Sequence, residues 1–272
     1  MSLQGKTLFI TGASRGIGRE IALKAAAQGA NIVIAAKSAE AHAKLPGTIH
    51  SVAAEVEAVG GKALALQLDV RDEEAVKAAM AHAAAHFGGI DALINNAGAI
   101  RLKGVEHLEP KRFDLMYQIN SRAVMVCSQA VLPYLKQSKG HILSLSPPLN
   151  LDPKWFASYG PYTTTKYGMS MLTLGMHEEF RKYGISVNSL WPKTVIATAA
   201  IEFEAGGPAV MKAARLPAIM ADAACAILSS GERSISGRLL IDEEILREQG
   251  QSDFEQYRYD PAGKLMTDLF VD

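Results

Sequence analysis

Apolar runs of strand length alternate with segments of helical period along most of this chain. The first run, at 7–10, leads into a helical pattern at 19–27. Further strands are predicted at 31–36, 62–68, 91–94, 140–145, 185–190 and 238–241, and further helices at 51–59, 72–87, 111–136 and 162–183. Because short apolar strands separated by helices form parallel βαβ units, the pattern predicts an α/β protein with a doubly wound parallel sheet of about seven strands and helices on both faces.

A glycine-rich turn joins the first strand to its helix. Residues 11–18 read Thr-Gly-Ala-Ser-Arg-Gly-Ile-Gly, which gives Gly12, Gly16 and Gly18 the spacing G-x-x-x-G-x-G. Glycines let the backbone approach a ligand, and the free N–H groups and positive dipole end of the following helix attract phosphate. A tight turn alone would also use glycines, but between a strand and a helix they predict nucleotide binding in a Rossmann-type fold.

Two irregular segments accompany this pattern within one predicted domain, 1–272. Residues 37–50 form a longer connection than a strand-to-helix turn requires, and the Pro46-Gly47 pair fits a loop that bounds the adenosine end of the nucleotide site. Residues 242–272 carry scattered aromatics. They are predicted to form a C-terminal tail packed on the domain rather than another βαβ unit.

Composition narrows the function classes. Lys plus Arg and Asp plus Glu both total 28 among 272 residues, so the net charge of zero gives no electrostatic case for nucleic acid or an anionic membrane as partner. Cys127 and Cys225 lie in apolar helical contexts, which predicts reduced core thiols. Since no apolar run reaches the length of a membrane span and no signal peptide opens the chain, we expect a cytoplasmic protein that acts on a small molecule.

Two further patterns carry candidate chemistry. Asn95-Asn96-Ala97-Gly98 ends the fourth predicted strand, where small residues admit a ligand and asparagine side chains can tie loops together, although a simple strand-ending turn would look the same. Tyr162 and Lys166 are four residues apart in a helical stretch and therefore share one face. A phenol ordinarily loses its proton near pH 10, and a nearby ammonium lowers that value toward the range of a general base.

The order Thr-Gly-x-x-x-Gly-x-Gly, Asn-Asn-Ala-Gly and Tyr-x-x-x-Lys resembles the short-chain dehydrogenases/reductases over residues 3–241. The stretches 146–151, 167–171 and 191–194 are similar to the hydroxysteroid dehydrogenase-like branch of that family. Animal members of this branch continue into a sterol-carrier-type domain, which this chain is expected to lack. The resemblance implies hydride transfer between a nicotinamide cofactor and an alcohol or carbonyl compound, in a homodimer or homotetramer.

The resemblance also implies roles for single residues. Tyr162 would be the acid/base, Lys166 would bind ribose and lower the pKa of the tyrosine, and Asn120 would hold a water in the proton relay. Asp69 would accept from the adenine amine beside Val70, Thr198 would bind the carboxamide, and Val195 or Ile196 would make a backbone contact to the nicotinamide. The predicted cofactor-binding set is Gly12, Ser14, Arg15, Gly16, Ile17, Gly18, Lys37, Asp69, Val70, Asn96, Ala97, Gly98, Tyr162, Lys166, Pro192, Val195 and Thr198, and the catalytic set is Asn120, Ser146, Tyr162 and Lys166.

Two positions depart from the family pattern. The usual catalytic serine aligns with Pro147, which has no hydroxyl, and Ser146 is the nearest substitute, with Ser144 a weaker one. We expect the proline pair to re-aim Ser146 into the site. Lys193 replaces a common glycine, and it would either contact a cofactor phosphate or substrate carboxylate or point into solvent.

The choice of cofactor follows from charge. A site that prefers NAD places a carboxylate at the end of the second strand to bind the ribose hydroxyl. Here that strand ends in Ala36-Lys37-Ser38, with no acid before Glu40, and Arg15 lies in the glycine loop. Two cations therefore favour NADP(H) over NAD(H).

Other features favour a structural interpretation. His82 and His86 have metal-pair spacing, but they lie in an alanine-rich helical run without an evident third ligand, so an exposed helix face is predicted and no metal site. Three methionines after Tyr162 are predicted to pack in the core or at a subunit interface, namely Met169, Met171 and Met176.

The leading hypothesis is an NADP(H)-dependent oxidoreductase that interconverts a secondary alcohol and a ketone, with Tyr162 moving the proton and Ser146 polarising the oxygen. The loop 149–161, with Trp155, Phe156 and Tyr159, would cover a fairly apolar, lipid-like or steroid-like substrate. The alternative is an NADP(H)-binding sensor or assembly partner with little catalysis, which Pro147 suggests. A sugar-nucleotide epimerase or dehydratase would need a larger substrate-binding region.

Overall fold

Seven strands form one parallel sheet in the computed structural model, which describes residues 2–42, 45–204, 206–230 and 234–272. The strands are β1 (Thr7–Thr11), β2 (Asn31–Ala36), β3 (Lys62–Gln67), β4 (Ala92–Asn95), β5 (His141–Ser144), β6 (Ser186–Trp191) and β7 (Leu239–Ile241). Their order is β3-β2-β1-β4-β5-β6-β7, so the direction of winding reverses between β1 and β4. The predicted fold class is confirmed, and every predicted strand ends within one residue of the observed bounds.

Helices cover both faces of the sheet. They are α1 (Gly16–Ala27), α2 (Ile49–Ala58), α3 (Glu73–Phe87), α4 (Pro110–Tyr117), α5 (Ala123–Ser138), α6 (Lys154–Ala157), α7 (Gly160–Phe180), α8 (Ala199–Glu204), α9 (Gly207–Lys212), α10 (Ala218–Leu228) and α11 (Asp242–Glu248). On one face, α1 packs between α2 and α10; on the other, α5 packs between α3 and α7.

The strand sequences explain this two-sided burial. Leu8 and Ile10 of β1 point into the core under α1 and α10, and Phe9 between them points into the core under α3 and α5. Side chains alternate across a strand, so a strand covered on both faces needs apolar residues at every position. This is why the buried strands appear as unbroken apolar runs in the sequence.

Two predicted helices differ from the observed ones in detail, and one helix was not predicted. The long helix expected at 111–136 is divided by a π-helical turn, Gln118–Arg122, between α4 and α5. The predicted helix 162–183 is α7 followed by a 3-10 turn at Arg181–Tyr183. The sequence analysis did not predict α10, because its residues are apolar nearly all round and give no helical period.

The predicted thiols are confirmed as buried and free. Burial raises the pKa of Cys127 to about 12, which keeps this thiol protonated and unreactive. His82 and His86 are exposed on α3, as expected. Within the described ranges, no helix combines the length and the apolar character that crossing a membrane requires.

Candidate active site

A cleft of about 620 Å³ opens at the carboxyl ends of the strands, where the chain order reverses between β1 and β4. Its volume is in the range of small-molecule and cofactor sites. Sixteen of the predicted site residues line it, namely Gly12, Ser14, Arg15, Gly16, Ile17, Lys37, Asp69, Val70, Asn96, Ala97, Gly98, Tyr162, Lys166, Pro192, Val195 and Thr198. Three predicted residues are not part of its lining: Gly18, Asn120 and Ser146.

The glycine loop is clamped to the end of β4. The Asn96 Nδ2 atom donates to the carbonyl oxygens of Thr11 (2.8 Å) and Gly12 (3.0 Å), and the Thr11 hydroxyl accepts from the backbone N–H groups of Asn96 and Ala97. A Cβ atom on Gly12 would lie 2.8 Å from the Ala97 Cα, and one on Gly18 would lie 2.4 Å from the Asn96 Nδ2. Gly18 therefore serves the site by letting the loop pack on Asn96.

The beginning of α1 forms the floor of the cleft. Gly16 is its first residue and has a φ of +56°, and the first turn carries no acidic side chain. Across the cleft, the Thr198 Cγ2 atom would lie 3.5 Å from a Cβ atom on Gly16. Because the first N–H groups of a helix have no partner within it, this floor suits a pyrophosphate.

Two cations stand at the end of β2. The Arg15 guanidinium donates to the Ser38 hydroxyl (2.8 Å) and the Gly47 carbonyl (3.3 Å), and its buried Nε has no partner among the described residues. The Lys37 Nζ lies 3.3 Å from an Asp69 carboxylate oxygen. The expected loop at Pro46-Gly47 thus packs on the glycine turn and holds the arginine in place.

Asp69 is a firmly ionised acid. The Arg71 side chain donates to both of its carboxylate oxygens at 2.6–3.1 Å, and these hydrogen bonds hold the pKa of Asp69 well below its usual range, against the opposing effect of burial. Both Lys37 and Arg71 therefore keep this group an acceptor.

Tyr162 and Lys166 lie together on the first turns of α7, and both are buried. The Lys166 ammonium donates to the Leu145 carbonyl (2.7 Å) and lies 5.0 Å from the centre of the Trp191 ring. Burial lowers the pKa of Lys166 to about 8 and raises the pKa of Tyr162, with the Asp268 carboxylate adding to the rise for the tyrosine. Tyr162 is therefore a protonated phenol at neutral pH.

The Asn120 side chain connects the loop after Gly98 to α7 through hydrogen bonds. Its side chain accepts from the Ala99 N–H (2.8 Å) and donates to the Ala99 carbonyl (3.0 Å) and to the Thr165 hydroxyl (2.9 Å). The π-helical turn directs this amide between the end of β4 and α7, and π-turns of this kind are frequent at functional sites. The side chain thus fixes the loop after Gly98 against the helix of Tyr162.

The serine candidates lie behind the cleft wall. Ser146 is fully buried, and its hydroxyl has no hydrogen-bond partner among the described residues. Ser144 accepts a long hydrogen bond, 3.5 Å, from Asn95. The Pro147 carbonyl accepts from Ser170 of α7 at 2.6 Å, which fixes this segment. The proline pair does not aim Ser146 into the cleft, contrary to expectation.

Lys193 has a partner that the sequence analysis did not consider, although its side chain remains 41% exposed. Its ammonium lies 3.1 Å from the Glu243 carboxylate, which also binds Arg215 and Arg247. Burial raises the pKa of Glu243, but the hydrogen bonds from these three cations outweigh it and bring the pKa down to about 2. Lys193 is therefore a partner of a buried carboxylate.

Sequence reasoning missed the contribution of the C-terminal tail. The cleft is lined by four residues of this tail, Met266, Thr267, Asp268 and Leu269. The only hint in the sequence was the presence of the apolar residues Met266 and Leu269 among polar ones. Phe270 is almost fully buried beside them. Its ring stacks on the ring of Tyr162, with 6.3 Å between the ring centroids.

The aromatic side chains of loop 149–161, which was predicted to cover the substrate, pack against other aromatic residues instead. Trp155 and Tyr159 pack against Phe270, and Phe156 packs on Tyr167. None of these three aromatics is part of the cleft lining. The apolar wall consists instead of Ile100, Leu102, Ile201, Phe203, Val210, Met266 and Leu269.

The backbone of Val195 is engaged by the same tail. Its N–H donates to the Met266 carbonyl (3.0 Å), and its carbonyl accepts from the Arg215 N–H (2.9 Å). This leaves Ile196 as the candidate for the backbone contact to nicotinamide, while the Val195 side chain lines the cleft.

Comparison with known proteins gives consistent matches. The family model described as short chain dehydrogenase matches residues 6–205. Hydroxysteroid dehydrogenase-like protein 2 of Xenopus tropicalis is 55% identical over 271 residues, which cover 99% of this chain and 64% of that protein. The chain therefore spans less than two thirds of the length of this relative.

Solved structures are also similar to this chain over most of its length. A chain from Xanthomonas campestris that is described as a dehydrogenase has a TM-score of 0.96 and 52% identity, with 100% of both chains covered. A metagenomic short-chain oxidoreductase in complex with NADP has a TM-score of 0.73 and 27% identity, with 89% of this chain and 98% of that chain covered.

Proposed function

Because this chain belongs to the short-chain dehydrogenase/reductase family, an oxidoreductase family, we propose that it interconverts a secondary alcohol and a ketone with NADP(H) as cofactor and Tyr162 as acid/base. One observation carries the proposal. Tyr162 and Lys166 line the same cleft as the glycine loop and the start of α1, so a proton donor and a nucleotide cradle face one space.

The described residues fit the cofactor from end to end. The loop around Gly12 and the first turn of α1 would hold the pyrophosphate, and Asp69 and Val70 would hold the adenine. Arg15, whose buried Nε has no partner within the described ranges, and Lys37 would meet a ribose phosphate, which supports NADP(H) over NAD(H). Lys166 would bind the nicotinamide ribose, and Thr198 would bind the carboxamide.

The proton step follows from the environment of Tyr162. When bound, the reduced cofactor supplies a hydride to the carbonyl carbon of the ketone. Tyr162 donates its phenolic proton to the carbonyl oxygen, for which a buried, protonated phenol is suited. The Lys166 ammonium, held by the Leu145 carbonyl, stabilises the resulting phenolate.

The cleft wall supports an apolar substrate of lipid-like or steroid-like character. Leu102, Phe203, Val210, Met266 and Leu269 present carbon surface beside the tyrosine. We further propose that the chain works as a homodimer or homotetramer in the reducing cytoplasm, where its two buried cysteines would remain thiols.

A second candidate function has a specific observation in its favour. Pro147 replaces the usual serine, and Ser146 is buried behind the cleft wall. An NADP(H)-binding sensor with little catalysis would not need a serine hydroxyl in the cleft.

Turnover separates the two functions. We expect the wild-type chain to oxidise NADPH with at least one of three probes: a long-chain methyl ketone, a ketosteroid or acetoacetyl coenzyme A. Tyr162→Phe should abolish this activity while NADPH binding, measured by fluorescence titration, stays within about threefold, because the phenol carries the proton and not the nucleotide. NADPH binding without turnover on all three probes would favour the sensor.

A further inference from the structure

We propose that Asp268, in the C-terminal tail, is a catalytic residue that donates a hydrogen bond from its neutral carboxyl group to the substrate carbonyl oxygen, in the place of the missing serine hydroxyl. The proposal rests on the proposed function, since it concerns the same reaction. Its first support is geometric: Asp268 lines the cleft together with Tyr162, whereas Ser146 does not.

The tail holds Asp268 firmly in this position. The Asp268 N–H donates to the Lys193 carbonyl (3.0 Å), and Thr267 forms an antiparallel bridge with Thr194. One residue on, the Leu269 carbonyl accepts from the Trp191 indole N–H (2.9 Å). The segment after β6 therefore holds the tail by backbone hydrogen bonds and one isolated bridge.

The neighbouring rings bring this segment to the tyrosine. Phe270, two residues after Asp268, stacks on the Tyr162 ring, and the Lys166 ammonium lies over Trp191, which binds Leu269. Asp268, Tyr162 and Lys166 thus line one cleft beside these rings. In the proposed reaction, the Asp268 carboxyl group would bind the same substrate oxygen that receives the tyrosine proton.

The charged and titratable groups around Asp268 favour its neutral form. Burial and the nearby Asp242 carboxylate of α11 raise the pKa of Asp268 to about 7, while the Leu269 N–H and the Lys166 ammonium act in the opposite direction. In return, burial raises the pKa of Tyr159 and Tyr162 and the Asp268 carboxylate adds to the rise, while for Lys166 the same carboxylate opposes the lowering of the pKa by burial. At slightly acidic pH the carboxyl group is therefore a donor, as the serine hydroxyl would be.

The test compares two substitutions of Asp268 in the full chain. Asp268→Asn retains a donor but cannot titrate, and Asp268→Leu has none. At pH 6 we expect kcat with the most active ketone probe to fall about 100-fold in Asp268→Leu, the usual effect of losing one donor to a developing oxyanion, and less than about fivefold in Asp268→Asn. Between pH 6 and 8 the wild-type kcat should fall as the carboxyl loses its proton, and this step should vanish in Asp268→Asn.

Controls distinguish catalysis from support of the tail. Asp272→Asn removes a carboxylate of the same tail that binds Lys154 and Asn150 at the surface, and it should leave kcat unchanged. NADPH binding and the fluorescence of the two tryptophans, Trp155 and Trp191, should be the same in all variants if the tail stays docked. Equal kcat in Asp268→Leu and wild type would overturn the proposal, as would an Asp268→Asn variant as impaired as Asp268→Leu.

A readout without substrate separates this proposal from the reductase proposal. If no ketone is reduced, the reductase proposal fails, but the pKa of Asp268 can still be measured from its carboxyl ¹³C resonance. This resonance is assigned as the one that disappears in Asp268→Asn. Titration of that resonance near its ordinary value of about 4 would overturn the neutral donor. Titration near 7 would support it.

Discussion

Gly18 and Asn96 show how much of the site depends on single contacts. The glycine has no place in the cleft lining, yet it touches the asparagine amide that closes the loop around the cleft floor. The loop that we propose to hold the nucleotide therefore includes a residue that does not line the cleft. Such a residue holds the backbone of the residues that line the cleft.

Gly18→Ala tests this contact. The added Cβ would lie 2.4 Å from the Asn96 Nδ2 and 2.9 Å from the Gly12 carbonyl oxygen, so we expect a loss of roughly 1–3 kcal/mol of stability and weaker NADPH binding. Urea unfolding and fluorescence titration measure both effects. Gly175→Ala is the matched control, because a Cβ atom there meets nothing within 4 Å and α7 gains a better helix former. Equal stability of the two variants would contradict the account.

Lys37→Ala tests the proposed cofactor preference. Removal of this cation should weaken NADPH binding at least about tenfold and NADH binding by less than about threefold, because NADH lacks the phosphate that the ammonium would meet. Titration of both nucleotides gives the comparison. Equal losses for the two cofactors would argue against the assignment, and Lys62→Ala, an exposed lysine at the start of β3, serves as control.

Single residues were predictable where the chemistry depends on local spacing. Gly12, Gly16, Tyr162 and Lys166 follow from intervals of a few residues within one turn or helix, and all line the cleft. The orientation of the Ser146 hydroxyl and the pairing of Lys193 with Glu243 depend on contacts between distant segments. Their positions follow only from the folded chain.

At the scale of elements, sequence patterns predicted the strands better than the helices. A strand buried on both faces gives an apolar run with clear ends, whereas α10 is apolar nearly all round and gives no period. The π-helical turn at Gln118–Arg122 adds no signal either, since its backbone angles remain helical on both sides. Yet this turn directs Asn120 toward Ala99 and Thr165, and so fixes the orientation of α7.

The tail is the element whose role the sequence concealed most. It was predicted to pack on the domain, and the residues that contact the cleft are spread over a short segment without secondary structure, 266–269. Neither period nor capping signals a segment of this kind. Contacts between distant segments hold it in place, among them the bridge between Thr194 and Thr267 and the hydrogen bond from Trp191 of β6 to the Leu269 carbonyl.

For the whole molecule, the methionines after Tyr162 divide between two surroundings. Met169 and Met176 are core residues, whereas Met171 of α7 is 58% exposed, and Leu174 of α7 and Met125 of the neighbouring α5 are also exposed. An apolar surface of this kind on adjacent helices favours association.

We expect Met171→Glu to convert the proposed homo-oligomer into monomers, because two charges would be buried against each other across a symmetric contact. Size-exclusion chromatography with light scattering measures the mass. Val59→Glu, at the exposed end of α2, is the control and should leave the mass unchanged. A wild-type chain that is already a monomer would refute the proposed assembly.

The clamp between Thr11 and Asn96 spans the reversal of the sheet, where β1 and β4 are also paired as neighbouring strands. The floor of the cleft is therefore continuous with both halves of the sheet. Phe203 of α8 and Val210 of α9 form a wall of the same cleft, and we expect a cofactor to enter and leave past this wall. In kinetic terms, the rate of cofactor exchange would then be a property of this wall and not of the nucleotide cradle.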